Sequence, residues 1–320
     1  MHAAVVTSFS APPQYAEFSD PTPGPGEVFV RITAAGLHPI VKALANGSHY
    51  GSTGELPFVP GVDGVGRLDD GTRVFFGGVR DPFGTMAERA AVRREMCLPI
   101  PDSLDDVTMA AMMNPGMSSW AALVGRADFV AGESVLILGA TGSAGQLAVQ
   151  IAKRLGARRV VAVGRNPEAL EESKALGADS TIVLTPERDA LVATLRAEIL
   201  DSQIDVVLDY LWGGAAEATL AAIGQKGLDH KARRIRYIQI GSSAGPTITL
   251  PAATLRSSGL EMLGSGFGSL SMEKLFAAVA AFVKAASEQP FAIKAVSAPL
   301  RDVEQLWNAP EKRGRVVFQP

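Results

Sequence analysis

The sequence predicts an α/β fold in which a doubly wound parallel sheet is joined to a second domain rich in β-strands. Three observations support this prediction. A glycine-rich turn follows a short apolar run at residues 135–138. Strand-like and helical stretches alternate from about residue 130 onward, and short strand-like runs separated by proline and glycine turns occupy the first third of the chain.

Size and composition favour a globular protein with two domains. The chain has 320 residues, of which 47% are hydrophobic and 20% charged, so a large core is possible. The formal net charge of −3 offers no basic face for nucleic acid, and no apolar run approaches the roughly 20 residues that span a bilayer. Cys97 is the only cysteine, which excludes an intramolecular disulfide and is typical of a reducing compartment. We therefore expect a cytoplasmic protein that binds neither nucleic acid nor a membrane.

The glycine-rich turn is the most informative motif. Residues 134–138 are typical of a buried strand, and apolar residues then recur at helical spacing until Gly156. The turn between them differs from the usual Gly-x-Gly-x-x-Gly pattern only in Ala140, the first position. Free amides at such a helix start, together with the helix dipole, favour a pyrophosphate. We predict a Rossmann coenzyme site at Ala140, Thr141, Gly142, Ser143, Ala144 and Gly145; the alternative is an ordinary tight turn.

The end of the next predicted strand, at residues 160–163, indicates which coenzyme is bound. An NAD site needs an acidic residue there for the ribose hydroxyls, whereas this chain reads Gly164-Arg165-Asn166 and has no acid before Glu168. The planar guanidinium of Arg165 suits a 2′-phosphate, so these residues favour NADPH over NADH. The alternative is that Arg165 is a solvated loop residue.

The predicted elements divide the chain into a first part (1–117), a nucleotide-binding domain (118–258), and a tail (259–320) that holds the last strand of the parallel sheet and returns to the first domain. Strands of the parallel sheet are predicted at 135–138, 160–163, 181–184, 205–208, 235–240 and 259–263, with helices at 146–155, 167–176, 190–199 and 215–223. Outside that domain we predict strands at 3–6, 28–34, 64–68, 73–76, 90–92, 292–297 and 315–318, and helices at 107–113, 119–123 and 272–286.

Several short segments carry a family resemblance through their order and spacing: 23–28, 60–66, 115–123, 139–156, 164–167, 241–245 and 314–317. With these segments, the whole chain resembles the medium-chain dehydrogenase/reductase superfamily and, within it, the zinc-free quinone oxidoreductase branch. The resemblance implies a GroES-like, β-rich catalytic domain made from the first third and the tail. It also implies a Rossmann domain between them, with substrate in the cleft. Many such relatives are dimers paired through the edge of the Rossmann sheet, so a homodimer is expected.

The resemblance also extends the predicted coenzyme site. It places Gly241, Ser242 and Ser243 beside the nicotinamide half, although the serines alone also suit a turn. It implies that Gly264 and Ser265 cap the coenzyme. Residues implied to line its other side, or to contact its ribose, are Asn114, Met117 and Lys42.

Zinc is not expected. Zinc alcohol dehydrogenases of this superfamily have a histidine ligand in a Gly-His-Glu stretch, and the matching position here is Val62, which cannot bind a metal. A structural zinc site needs four cysteines, whereas Cys97 stands alone between apolar neighbours and is more typical of a buried, inert thiol.

The predicted catalytic side chains are Tyr50, His38 and His49. The zinc-free branch shows an Asn-x-x-Asp-x-Tyr-like set, and here its three positions hold His38, Val41 and Ala43. Tyr50 keeps an aromatic hydroxyl nearby and is our choice for the hydroxyl nearest the substrate. His38 and His49 are candidates for donating a proton or a hydrogen bond. The alternatives are that Tyr50 only covers the edge of the cleft, that His49 is a solvated loop residue, and that His38 is a hydrogen-bonded structural histidine.

The function expected from these residues is reduction of quinones or α,β-unsaturated carbonyl compounds by NADPH without a metal. Conjugation already polarises the acceptor carbon of these small molecules, so the protein must orient the reactants and stabilise a developing oxyanion. The lost Asp and Tyr leave two alternatives: a metal-free dehydrogenase of a dedicated small metabolite, and an NADPH-binding sensor or scaffold without turnover.

Overall fold

The computed structural model describes residues 1–224, 232–310 and 314–320, and the chain forms two compact units. The first unit contains residues 1–115 and 283–320, and the second contains residues 116–282. Within the described residues, every helix is too short or too polar to cross a membrane.

The elements of the first 126 residues are mainly short strands. They are β1 (His2–Val5), β2 (Gln14–Glu17), β3 (Glu27–Gly36), α1 (Pro39–Ala45), β4 (Asp63–Arg67), β5 (Arg73–Gly77), β6 (Arg89–Arg93), β7 (Cys97–Pro99) and α2 (Asp106–Trp120), with a 3₁₀ turn at Arg94–Met96 and a π-helical stretch at Ala121–Arg126.

Strands and helices alternate after residue 133. They are β8 (Ser134–Leu138), α3 (Ser143–Arg154), β9 (Arg159–Gly164), α4 (Pro167–Ala175), β10 (Ser180–Val183), α5 (Arg188–Asp201), β11 (Val206–Asp209), α6 (Gly213–Ile223), β12 (Arg234–Gln239), α7 (Ala252–Arg256), β13 (Gly259–Gly264) and α8 (Met272–Glu288). The tail adds β14 (Ala295–Pro299), a 3₁₀ turn at Leu300–Asp302, α9 (Val303–Leu306) and β15 (Arg315–Gln319).

The first unit is built on a mostly antiparallel sheet in the order β14-β15-β3-β4-β5-β7, and β6 pairs with β3. The tail strand β15 pairs with the end of β3, where Val317 lies opposite Gly36, so the two ends of the chain share one sheet. Two clusters of buried apolar side chains form the core of this unit. This sheet places the end of β3, the start of α1 and the start of β4 near one another.

The second unit contains a six-stranded parallel sheet in the order β10-β9-β8-β11-β12-β13. The chain winds from β8 toward β10 on one side and from β11 toward β13 on the other, which is the doubly wound order predicted from the sequence. The strands β8, β9 and β11 are buried on both faces, as expected when helices cover a parallel sheet. Ligands of such sheets bind outside the carboxyl ends of the strands, where the winding direction reverses; here that point lies between β8 and β11.

The turn between β8 and α3 depends on close contact between backbones. Gly139 has a φ of +89°, a conformation that glycine adopts without strain. A Cβ atom on Gly145 would lie 2.2 Å from the carbonyl oxygen of Gly139 and 2.5 Å from the Cα of Ala140. Helix α3 therefore packs against the end of β8 only because residue 145 has no side chain.

The structure differs from the sequence prediction in the α2 region. Two helices separated near Pro115 and Gly116 were predicted, whereas α2 continues through both residues. Buried packing outweighs the cost of an internal proline here: Met109 to Met113 are wholly buried, and a Cβ on Gly116 would lie 2.3 Å from the ring of Phe282. The prediction also missed the short elements β2, α1, β7, α7 and α9.

Replacing Gly145 with alanine should destabilise the protein by about 1–3 kcal/mol, because the new methyl group meets backbone atoms that have no room to move. Gly142→Ala is the matched control, since its φ is −82° and the nearest atom to its new Cβ lies 3.8 Å away. We expect the control to cost less than about 1 kcal/mol. Urea unfolding measures both free energies, and equal losses in the two variants would contradict the close-packing account.

Candidate coenzyme and acceptor sites

Most of the predicted coenzyme residues lie at one edge of the parallel sheet in the second unit. Residues 140–145 follow β8, residues 164–166 lie at the end of β9, residues 241–243 follow β12, and residues 264–265 end β13. Because these strands are parallel, their carboxyl ends meet at the same edge. The sheet therefore collects four sequence-distant segments where a dinucleotide is expected.

The start of α3 has the donors that a pyrophosphate needs. The first amide that bonds within the helix is that of Gln146, which donates to the carbonyl of Gly142 at 2.8 Å. The preceding amides of Ser143, Ala144 and Gly145 belong to the unsatisfied first turn, and no side chain caps this helix in the described part of the protein. Gly142 is exposed and leaves space on its open side, so the turn fits a phosphate group.

The residues after β9 take three different positions. A Cβ on Gly164 would lie 2.5 Å from Cγ2 of Thr141, so the glycine turn and this strand end are in direct contact. Asn166 caps α4, because its side-chain oxygen accepts hydrogen bonds from the amides of Glu168 and Ala169 at 2.9 and 3.4 Å. Arg165 is exposed, and no described residue forms a salt bridge or hydrogen bond with its side chain. Its guanidinium is thus available to an anion.

The loops after β12 and β13 form hydrogen bonds with neighbouring segments of the second unit. Ser243 donates from its hydroxyl to the carbonyl of Tyr210 at 3.0 Å, and Ser242 is exposed. The amide of Ser265 donates to the carbonyl of Gln239 at 2.8 Å, and Gly264 accepts a bond from Arg126 at 2.8 Å. Met117, on α2, is almost fully buried.

The sequence interpretation missed Asp209, the last residue of β11, and the turn that follows it. Asp209 is completely buried; its carboxylate accepts the Tyr237 hydroxyl at 2.7 Å and the amides of Leu211 and Trp212 at 2.8 and 2.9 Å. Burial raises the pKa of Asp209 despite these bonds, and burial with the nearby carboxylate raises the pKa of Tyr237 well above its ordinary value. An acid at the end of a buried strand, followed by Trp212-Gly213-Gly214, was the available sequence signal.

In the first unit, His38 and Asn114 meet at Asp63, another residue that sequence reasoning did not select. Nε2 of His38 lies 3.5 Å from one carboxylate oxygen of Asp63, and the Asn114 amide donates to the other at 3.4 Å. The His38 side chain is 1% exposed, and neither ring nitrogen has a hydrogen-bond partner among the described residues. In this conformation His38 is therefore closed to direct contact with a small molecule.

The other predicted side chains of this unit lie on or just after α1. Lys42 is half-buried, and Tyr50 is 75% exposed. The rings of His49 and Tyr50 are 4.1 Å apart, and the amide of Gly51 donates to Nδ1 of His49 at 3.0 Å. Burial lowers the pKa of His49 from its ordinary 6.5, so the ring is neutral at pH 7, with its proton on Nε2.

The donor set around these residues does not suit a metal ion. No group of three or more His, Cys, Asp or Glu side chains comes together in residues 1–224, 232–310 and 314–320. Val62 precedes Asp63 and supplies no ligand atom, while the asparagine at 114 uses its amide to bond Asp63. Cys97 is buried on β7, and burial raises the pKa of its thiol. These residues offer one imidazole and one carboxylate, which is fewer than the three protein ligands of a catalytic zinc site.

Comparison with known proteins agrees with the architecture. A family model described as zinc-binding dehydrogenase matches residues 144–285, which does not extend to Val62. The chain is 30% identical to a probable NADPH-dependent quinone reductase, tdiC, of Emericella nidulans, over an alignment that covers 100% of both proteins. It is also 30% identical to the chloroplastic NADPH-dependent alkenal/one oxidoreductase of Arabidopsis thaliana, over 57% of this chain and 49% of that protein.

A solved structure matches along the entire chain. The quinone oxidoreductase of Thermus thermophilus, which has also been solved in complex with NADPH, superposes with a TM-score of 0.82 at 28% identity and covers 100% of both chains. The expected combination of a Rossmann domain and a GroES-like, β-rich domain is confirmed by this match.

We predict that His49 titrates below pH 6.5, because partial burial disfavours its imidazolium form. Histidine-ring NMR measures the midpoint, and His49→Gln identifies the signal among the four histidines of the chain. The Nε2–H tautomer should be visible at pH 7. A midpoint at or above 6.5 would contradict the burial argument.

Proposed function

The chain belongs to the medium-chain dehydrogenase/reductase superfamily, in its quinone oxidoreductase-like branch, and from this we propose that it reduces quinones or α,β-unsaturated carbonyl compounds without a metal ion. It is an NADPH-dependent oxidoreductase of the medium-chain type. The proposal depends most on one feature of the second unit, the strand–glycine turn–helix–strand unit that ends at Arg165.

When bound, NADPH supplies the hydride. The amides of Thr141, Ser143, Ala144 and Gly145 would hold its pyrophosphate, and Arg165 its 2′-phosphate. Gly164 and Asn166 would lie beside the adenosine half of the coenzyme. The residues of the second unit assigned to the nicotinamide half are Gly241, Ser242, Ser243, Gly264, Ser265 and Met117.

The acceptor class follows from what the residues can do. His38 and Asp63 offer fewer ligands than a catalytic zinc site needs, so we propose an acceptor carbon that is already electrophilic, as it is in quinones, enones and alkenals. The names of the relatives agree, since they include a probable quinone reductase and an alkenal/one oxidoreductase. Simple alcohols and unconjugated ketones lack this activation and are not proposed.

Tyr50 is the side chain that we propose assists the acceptor. Its exposed hydroxyl donates a hydrogen bond to the carbonyl oxygen, where negative charge develops as hydride arrives at the conjugated carbon. His49, neutral and with a proton on Nε2, is a second donor beside it. A neutral imidazole parts with that proton reluctantly, so the proton that completes reduction comes from solvent or through the Tyr50 hydroxyl.

The assembly proposed for the enzyme is a cytoplasmic homodimer. Strand β13 is an edge of the six-stranded sheet, and its Leu260 and Met262 side chains are only partly buried. A second copy pairing along this strand would cover the edge, which otherwise presents unpaired backbone groups. The single cysteine fits a reducing compartment.

A panel of quinones, enones, alkenals and simple alcohols tests the proposed function directly. With NADPH and enzyme dialysed against a chelator, we expect coenzyme oxidation with at least one conjugated acceptor. With NADP⁺ and simple alcohols, we expect no coenzyme reduction. Tyr50→Phe should lower kcat/KM about 10- to 100-fold, since one donor to the oxyanion is removed. Tyr15→Phe, at a surface tyrosine of the same unit, is the control.

Absence of NADPH oxidation with every conjugated acceptor would contradict the proposed substrate class. Activity that disappears on chelation and returns with zinc would contradict the metal-free proposal.

Arg165→Ala tests the coenzyme assignment. Losing a charge-assisted contact with the 2′-phosphate should raise the Kd for NADPH about 10- to 100-fold and leave the Kd for NADH unchanged. Arg301→Ala, at another exposed arginine, is the matched control. Calorimetric titration measures both constants, and equal NADPH affinity in the Arg165 variant and the wild type would remove Arg165 from the site.

A further inference from the structure

Asp209, the last residue of β11, is a buried carboxyl group that the proposed reaction does not use. Asp209 is wholly buried, and no lysine, arginine or histidine of the described chain pairs with it. Its partners among the described residues are two amides of the following turn and the hydroxyl of Tyr237 on the neighbouring strand β12. Burying a carboxylate without a cation is costly, so its presence indicates that the turn it binds must be held firmly.

That turn contains a strained residue. Trp212 has φ +58° and ψ −154°, a combination that is essentially restricted to glycine and that persists only where the surroundings enforce it. Asp209 binds the Trp212 amide at 2.9 Å. The Trp212 ring packs edge-to-face against Tyr237, with the ring centres 6.5 Å apart. Asp209 and Tyr237 therefore hold both the backbone and the side chain of Trp212.

The held turn contacts two of the segments assigned to the coenzyme, the glycine turn after β8 and the loop at 241–245 after β12. On one side, the carbonyl of Tyr210 accepts the Ser243 hydroxyl at 3.0 Å, and the carbonyl of Leu211 accepts the Ala244 amide at 2.7 Å. On the other side, a Cβ on Gly139 would lie 3.1 Å from Cδ2 of Leu211. Residues 210–212 thus lie between the glycine turn after β8 and the serine loop after β12, at the point where the winding of the sheet reverses.

We propose that Asp209 and Tyr237 are positioning residues for the coenzyme: by fixing Trp212 in its strained conformation, they set the spacing between the glycine turn and the serine loop. This inference rests on the proposed coenzyme site of the second unit. Neither side chain touches the coenzyme. They act through the Leu211 side chain, which lies beside Gly139, and through the carbonyl of Tyr210, which accepts the Ser243 hydroxyl.

Tyr237→Phe is the sharpest test, because it keeps the ring that packs on Trp212 and removes only the bond to Asp209. We expect the Kd for NADPH to rise about tenfold, as for loss of one hydrogen bond to a charged group. The kcat at saturating NADPH should stay within about twofold of wild type. Asp209→Asn keeps an oxygen for the two amides and is the second variant, while Tyr15→Phe is the control.

Glycine at position 212 separates positioning from simple packing. Glycine adopts the φ and ψ of residue 212 without strain. In Trp212→Gly the bond between Tyr237 and Asp209 is therefore no longer needed to hold this conformation. We expect Tyr237→Phe to raise the NADPH Kd less than about threefold in the Trp212→Gly background, although it raises it about tenfold in wild type. An equal effect in both backgrounds, or an unchanged Kd with only a lower unfolding midpoint, would overturn the proposal.

Hydrogen exchange of the coenzyme-free protein makes the test independent of activity. Tyr237→Phe should speed exchange in peptides that contain residues 139–145 and 241–245, and leave peptides of the β3–β4 region unchanged. If wild type reduces no acceptor, or binds no NADPH, the proposed function fails while this result still decides whether Tyr237 couples the two loops. Exchange that is unchanged in both loop peptides would overturn the inference.

Discussion

The contact between the start of α3 and the end of β8 is the constraint on which the rest of the site depends. Gly145 permits it, because any side chain there would overlap the Gly139 carbonyl. The contact directs the first amides of α3 toward the carboxyl edge of the sheet, where Gly164 and Arg165 also lie at the end of β9. Backbone geometry therefore prepares the anion site before any side chain contributes.

The turn after β11 connects the glycine turn to the loop on the other side of the sheet edge. The turn after β11 lies against the glycine turn on one side and against the serine loop on the other, and it is held by the buried carboxylate of Asp209. Burying that charge and forcing Trp212 into a glycine-like conformation both reduce stability. Strain of this kind is typical of functional sites, where a fixed arrangement of loops matters more than the last increment of stability.

The sequence predicted the parallel sheet well, because its buried strands are continuous apolar runs and its helices have clear periodicity. It failed where tertiary packing decides. Pro115 and Gly116 are strong local breakers, yet α2 passes through both since Phe282 packs against Gly116. Asp63 begins a strand and Asp209 ends one, and a single acid at either place is a weak sequence signal; only the fold shows that one faces His38 and the other binds Tyr237. Motif reasoning left open whether His38 is catalytic or structural, and only the fold shows that its side chain is buried.

The central claim is that a phosphorylated nicotinamide coenzyme binds at the β8–α3 turn without the help of a metal ion. Calorimetric titration of the chelator-treated wild-type protein with NADPH, repeated with Gly142→Ala, tests it most directly. The account predicts saturable binding of one NADPH per chain and a weaker interaction in the variant, whose fold is intact but whose turn is obstructed. Absence of saturable binding, or equal binding in the two proteins, would contradict it.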